Sequence, residues 1–76
     1  MKHLRSARHR ALITVIVEAR HAAGLTQRQL AAKLKRSNSF VWKIEAGERR
    51  VDILEFVEIA RALGEDPVSL FSSLFR

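Results

Sequence analysis

The chain has 76 residues, which suits one small domain, and its 47% hydrophobic and 29% charged residues are typical of a folded globular protein. It contains no cysteine, which excludes disulfides, thiolate metal sites and cysteine nucleophiles. The formal charge of +6 is uneven, because residues 1–50 carry 12 Lys/Arg against three acids and residues 51–76 carry two against five. A basic part joined to an acidic part favours binding to a polyanion, either nucleic acid or a membrane surface.

The first predicted helix covers residues 5–23, where apolar residues recur at helical spacing. These residues are Leu12, Val15, Ile16, Ala19 and Ala23. The β-branched run at 13–17 is strand-like by propensity. The length of the segment and its alanine-rich flanks nevertheless favour a helix, which we expect to end at Gly24.

Residues 26–46 predict two short helices separated by a turn at residues 35–36 that is too tight for an antiparallel hairpin. Thr26 and Gln29 have the spacing of a capping box at the start of the second helix, which extends to Leu34. Ser37 is predicted to cap the third helix, which extends to about Ala46. The segment therefore has the arrangement of a helix-turn-helix unit.

The two helices of this segment each divide into an inward and an outward face. The inward residues are Leu30, Ala31, Leu34, Val41 and Ile44. The outward residues of the third helix are Asn38, Ser39, Trp42 and Lys43. Polar groups on an exposed helix can reach the edges of bases in a major groove. Phe40 is expected to pack, while Trp42 could cover a thymine methyl, stack on a sugar or lie beneath the fourth helix.

A fourth helix is predicted from the Asp52 and Glu55 cap pattern to Gly64, and a fifth from Pro67 to about Phe75. The expected core residues of the fourth helix are Ile53, Phe56, Val57, Ala60 and Leu63. Glu55 and Glu58 are expected to lie on a solvated face. The pattern thus predicts an all-α fold of five helices in a single domain, residues 1–76.

The last apolar residues of the chain allow two interpretations. Leu70, Phe71, Leu74 and Phe75 recur at i, i+1, i+4 and i+5, so they form one apolar face. This face could close the core of the monomer or form a self-complementary dimer interface, and we favour the dimer because a chain this small has little core left to offer. Ile13 and Val17 lie off the main stripe of the first helix and could also contact a partner.

Three stretches of the chain, GLTQRQLAAKL, SNSFVWKIEAGERR and ILEFVEIARALGEDP, resemble the lambda-repressor-like (Xre/Cro-type) helix-turn-helix transcriptional regulators. The resemblance covers about residues 10–67. Two positions depart from the family pattern: Lys35 stands where a turn glycine is usual, and Ala46 stands where asparagine is frequent. Lys35 is expected to adopt a positive φ at a cost of about 1 kcal/mol.

The resemblance implies a role for particular residues. The residues matching base-reading positions are Asn38, Ser39, Trp42 and Lys43. Those matching or flanking phosphate-contacting positions are Gln27, Arg28, Lys35, Arg36, Ser37, Arg49 and Arg50. Arg20 and Glu45 match an ion pair that ties the first helix to the recognition helix.

The implied function is sequence-specific binding of double-stranded DNA as a homodimer, with regulation of transcription from an inverted-repeat operator. The alternative is a protein-interaction module, such as the antitoxin of a toxin–antitoxin pair or a coactivator-like adaptor, whose partner would be a toxin or another regulator. The residues contain no catalytic arrangement, so we do not expect an enzyme. No cofactor or metal is implied. The chain has no apolar run long enough to span a membrane and no signal-peptide pattern, so a cytoplasmic location is expected.

Overall fold

The computed structural model describes residues 6–76, and within them it contains five α-helices and no strand. The helices are α1 (Ala7–Ala22), α2 (Gln27–Leu34), α3 (Asn38–Glu45), α4 (Ile53–Ala62) and α5 (Pro67–Ser72). A 3₁₀ turn, Ser73–Phe75, follows α5. The predicted all-α fold class is confirmed. The predicted start of the first helix at residue 5 lies outside the described residues.

Side chains cap the N-terminus of four of these five helices. Thr26 with Gln29, and Asp52 with Glu55, form the two capping boxes that the sequence predicts. Asp66 accepts a hydrogen bond from the Ser69 amide at the start of α5, and Ser6 caps α1 in the same way. The remaining helix, α3, begins differently.

Ser37 occupies the N-cap position of α3 with extended backbone, but its side chain makes no capping hydrogen bond. The Ser37 hydroxyl instead lies 3.1 Å from the Ser39 hydroxyl, and the two form a hydrogen bond. The prediction that the Ser37 side chain caps α3 is therefore wrong, because the neighbouring hydroxyl takes the place of the backbone amide.

The first four helices end in the same backbone closure. In each, an amide two or three residues past the helix end bonds a carbonyl five residues earlier, as Arg36 bonds Ala31 at 3.0 Å after α2. The closure needs a left-handed residue, and glycine supplies it after α1, α3 and α4. After α2 the residue is Lys35, with φ 57° and ψ 40°, as the sequence predicts.

The core lies where α1, α2, α3 and α4 meet, and α5 closes one end of it. Its buried apolar residues are Ile16, Ala19, Leu30, Ala31, Phe40, Val41, Ile44, Phe56, Ile59, Ala60, Leu63 and Leu70. Ile59, only 2% exposed, is a core residue that the sequence pattern missed. Ile53, a predicted core residue, is 75% exposed because it begins α4 and its side chain lines the open groove between α4 and α5.

The apolar face predicted for the C-terminal residues divides in two. Leu70 is buried against the core, so its prediction as a dimer contact is wrong and it closes the monomer instead. Phe71 and Phe75 remain exposed, with their ring centres 5.3 Å apart, and Leu74 is half-buried. Neither of the two interpretations of this face therefore holds for all four residues.

Candidate nucleic-acid interface

A buried ion pair fixes the direction of α3 relative to α1. The guanidinium of Arg20 donates two hydrogen bonds to the Glu45 carboxylate, from Nε at 2.7 Å and from Nη2 at 2.9 Å. Arg20 Nη1 also donates to the Leu25 carbonyl at 2.9 Å, beyond the end of α1. The side chains of Arg20 and Glu45 are only 10% and 6% exposed. Such a two-pronged bond permits little rotation of either helix.

Gln27, at the start of α2, completes this network. Its side-chain amide donates to Glu45 Oε1 at 2.8 Å, and the residue is half-buried. One carboxylate therefore holds α1, α2 and α3 together. The predicted phosphate contact of Gln27 stays a prediction, and its amide nitrogen is engaged by Glu45 in the structure.

The crossing of α2 and α3 leaves the polar face of α3 open to solvent. Leu30 and Ala31 of α2 pack against Val41 and Ile44 of α3, and all four are at most 2% exposed. The four predicted base-reading residues are all exposed on the other side: Asn38, Ser39, Trp42 and Lys43. Trp42 is 48% exposed and does not belong to the core.

Exposed basic side chains lie on α2 and on the segments directly before and after α3. Arg28 and Lys35 are exposed on and just after α2, and Arg50 is exposed in the loop between α3 and α4. Ser37 is exposed in the turn before α3. The turn before α3 and the loop after it thus carry three exposed predicted phosphate-contacting residues: Lys35, Ser37 and Arg50.

Two of the predicted phosphate-contacting residues share a cluster that the sequence did not indicate. The guanidinium carbons of Arg36 and Arg49 lie 4.3 and 4.6 Å from the ring centre of Phe40, within the range of a cation–π interaction. Glu55 of α4 binds both arginines. Its carboxylate accepts two hydrogen bonds of 2.9 Å from Arg49 and lies 3.5 Å from Arg36 Nη2.

This environment lowers the pKa of Glu55 to about 2. The hydrogen bonds from Arg49 are the main cause, and the Asp52 amide and the positive charges of Arg49 and Arg36 add to it. The same hydrogen bonds raise the pKa of Arg49. The expectation that Glu55 lies on a solvated face is therefore wrong, since its side chain is 11% exposed. Glu58 is exposed as expected.

The sequence predicts the position of Glu55 in this cluster, but not its partners. Asp52 and Glu55 show the spacing of a capping box, which places Glu55 in the first turn of α4. The pairing with Arg49 depends on how the loop after α3 folds back, and no spacing rule encodes that path. Phe40 was expected to pack, but not to lie beneath two arginines.

An apolar surface on α4 and α5 was also missed. Ile53, Leu54 and Val68 are 75%, 72% and 76% exposed, and Phe71 is 47% exposed. Ile53, Val68, Phe71 and the half-buried Val57 border a shallow groove with no polar lining, and the exposed Leu54 follows Ile53 on α4. We call these five residues the α4–α5 patch. A surface this apolar on a small protein is typical of a contact with another molecule.

Residues 6–76 lack two other kinds of site. No group of three or more His, Asp or Glu side chains in this part of the chain could hold a metal ion. None of its helices is long and apolar enough to cross a membrane.

Two short helices crossing at a tight turn, with a polar exposed face on the second, define a helix-turn-helix domain. The model of a family described as a helix-turn-helix domain matches residues 2–70. A solved XRE-family like protein from Pseudomonas syringae pv. tomato str. DC3000 is 51% identical, with a TM-score of 0.86 over 91% of this chain and 84% of that protein. The chain therefore belongs to the XRE family of helix-turn-helix proteins, and the resemblance found in its sequence is confirmed.

Restriction–modification controller proteins have the same fold. The controller C.AhdI from Aeromonas hydrophila is 32% identical, with a TM-score of 0.78 over 87% of this chain and 100% of its own. The controller C.Esp1396I, solved as a tetramer in complex with its natural 35 base-pair operator, is 27% identical, with a TM-score of 0.84 over 93% of each chain. A comparison with curated proteins gave no match.

Proposed function

We propose that this protein binds double-stranded DNA sequence-specifically as a homodimer and regulates transcription from an inverted-repeat operator. The observation that carries the proposal is the exposed polar face of α3, held in one orientation by the Arg20–Glu45 pair. A helix so presented fits the major groove, where Asn38 and Lys43 have the donors and acceptors that distinguish base pairs.

Phosphate contacts supply most of the affinity in this proposal. The exposed cations Arg28, Lys35 and Arg50 lie on α2 and on either side of α3 in the chain, from where they would meet the backbone on both sides of the groove. Each phosphate neutralised releases a bound counterion, so binding weakens as salt rises. DNA binding of a related controller, solved with its operator, supports this assignment.

The α4–α5 patch supports the homodimer. Its exposed Ile53, Leu54 and Val68 differ from the residues that the sequence indicated, among which only Phe71 belongs to the patch. Packing this patch on its own copy about a two-fold axis would hide it from water. Two copies of α3 would then meet successive major grooves about 34–36 Å apart, which requires an inverted repeat.

Selection of bound sequences from a random pool of duplex DNA tests the DNA-binding proposal. We expect the pool to converge on two half-sites related by inversion. A pool that does not converge would refute sequence-specific binding and favour the protein-interaction alternative.

Sedimentation of the free protein tests the dimer. We expect Leu54→Glu to give a monomer, because it places charge in the α4–α5 patch. Thr14→Glu, which adds the same charge at an exposed site on α1, should leave the dimer intact. A wild-type chain that sediments as a monomer at all concentrations would refute the homodimer.

A further inference from the structure

In the cluster of Arg36, Phe40, Arg49 and Glu55, the two arginines have similar surroundings but differ in their hydrogen bonds. Both guanidiniums lie over the Phe40 ring, and both pair with the same carboxylate. They differ in how many of their donors the protein itself uses, and that difference determines what each can still bind.

Both terminal nitrogens of Arg49 donate hydrogen bonds within the protein. Its Nη1 donates to Glu55 Oε1 at 2.9 Å and to the Arg50 carbonyl at 2.8 Å. Its Nη2 donates to Glu55 Oε2 at 2.9 Å. The two guanidinium nitrogens that would bind a phosphate already bind the Glu55 carboxylate. Carboxylate and phosphate accept such paired hydrogen bonds in similar geometry.

Arg36 keeps its donors. Its polar contact within residues 6–76 is a single 3.5 Å approach of Nη2 to Glu55 Oε2, longer than the usual range of an N–H···O hydrogen bond. Its side chain is 40% exposed, and it stands two residues before the first residue of α3. It therefore lies at the start of α3, the helix that carries the proposed base-reading residues, and its guanidinium lies over Phe40 of that helix. Its hydrogen-bond donors remain available for another molecule.

We propose that Glu55 is a positioning residue for binding the DNA backbone. It fixes the Arg49 side chain through hydrogen bonds, and together with the Phe40 ring it orients the Arg36 side chain to contact a phosphate. The inference rests on the proposed DNA-binding function and reassigns Arg49, which the sequence indicated as a phosphate contact. An arginine held in place before binding loses less side-chain freedom when it meets its phosphate.

The two possible roles of Glu55, repelling phosphates or positioning Arg36, change DNA affinity in opposite directions, so one substitution distinguishes them. A carboxylate near DNA repels phosphates, so its simple removal strengthens binding. If Glu55 acts only as a negative charge, neutralising it raises affinity; if it positions Arg36, neutralising it lowers affinity. The two roles thus predict changes of opposite sign.

The first experiment compares Glu55→Gln with Glu65→Gln in the full chain, using titration of a random-sequence DNA duplex. Both variants raise the net charge by one, and glutamine can keep the capping box with Asp52. Glu65 is exposed in the loop after α4 and serves as the matched control. We expect Glu55→Gln to bind about fivefold more weakly, the penalty for immobilising one flexible side chain on binding, and Glu65→Gln to bind at least as well as wild type.

Binding by Glu55→Gln that equals or exceeds that of Glu65→Gln would overturn the proposal. Phe40→Leu gives an independent variant, because it removes the ring under Arg36 without changing any charge. It should weaken binding in the same direction, and both variants are titrated well below their thermal midpoints. Unchanged binding by Phe40→Leu would overturn the role of the ring.

The second experiment asks whether Glu55 acts through Arg36. Arg36→Gln should lower the slope of log affinity against log salt by about one counterion. In this background Glu55→Gln should lose its weakening effect, because the arginine that Glu55 positions is no longer present. An equal weakening in both backgrounds would show that Glu55 acts by another route. A wild-type chain that binds no duplex DNA would instead refute the proposed function itself.

Discussion

Two Arg–Glu pairs flank α3, and they have similar geometry but different burial. In each, two guanidinium nitrogens meet two carboxylate oxygens, and a third side chain joins the carboxylate: Gln27 at Glu45 and Arg36 at Glu55. The Arg20–Glu45 pair is 10% and 6% exposed, whereas the Arg49–Glu55 pair is 36% and 11% exposed. The buried pair fixes where α3 points, while the more open pair borders the surface that would meet DNA.

The largest expected effect comes from breaking the buried pair. Glu45→Ala leaves the buried Arg20 guanidinium without its carboxylate, which should lower the free energy of unfolding by about 3–5 kcal/mol. A domain of this size has only about 5–10 kcal/mol of stability, so we expect a large shift in a urea denaturation curve. Glu18→Ala, at an exposed site on α1, should change stability by less than about 0.5 kcal/mol. A similar small change for Glu45→Ala would show that the pair does not hold the helices together.

A second variant tests what the buried pair orients. If α3 presents Lys43 to base edges, Lys43→Ala should reduce discrimination between the selected operator and random DNA by about 1–3 kcal/mol while leaving the fold intact. Lys33→Ala removes the same charge from an exposed site on α2 and should not reduce discrimination. The two affinities are measured by titration at one salt concentration. Equal losses on operator and random DNA would reject base reading by Lys43.

The more open pair should contribute less to stability, and its contribution should depend on pH. We expect Glu55→Gln to lower the free energy of unfolding by about 1–2 kcal/mol near neutral pH, because charge-assisted hydrogen bonds from Arg49 are weakened. The pKa of Glu55 is lowered from 4.5 to about 2 in the folded protein. The stability from its ionised form is therefore fully present above pH 4.5 and lost as pH falls towards 2.

Denaturation curves of wild type and Glu55→Gln over this pH range check the prediction. The difference between the two proteins isolates Glu55 from the other acids that titrate in the same range. We expect that difference to shrink between pH 4.5 and pH 2. A difference that stays constant over this range would contradict the lowered pKa.

The smallest expected effect lies in the turn between α2 and α3. Lys35→Gly should raise the free energy of unfolding by about 1 kcal/mol, because glycine adopts the left-handed conformation without strain. Lys35→Ala removes the same charge but keeps a Cβ, so it should give no such gain. If Lys35 also contacts a phosphate, both variants should bind DNA less tightly by a similar factor. Thermal unfolding and DNA titration separate these two consequences.

The sequence predicted those features that depend on neighbouring residues. The capping boxes at Thr26 and Asp52, and the left-handed Lys35, depend on residues within one turn of each other. The Arg20–Glu45 pair joins residues 25 positions apart, and the resemblance to the family rather than any local pattern indicated it. The structure forms that pair.

Features that depend on how the helices end and pack were harder to predict. Ile53 satisfies the helical spacing of the core stripe, but its side chain lines the open groove between α4 and α5 and stays 75% exposed. Leu70 has the spacing of the exposed Phe71 and Phe75 face, yet its side chain is buried in the core of the monomer. The Arg49–Glu55 pair depends on the path of a loop, which helical periodicity does not describe.

The repeated closure at the helix ends has a consequence for how fast this chain folds. Each of the first four helices is ended by a local interaction, because the closing hydrogen bond joins residues only five positions apart in the chain. Helix boundaries can thus form before distant parts of the chain meet, and little loop entropy is lost in forming them. We expect folding within microseconds to milliseconds, as for other proteins dominated by local contacts.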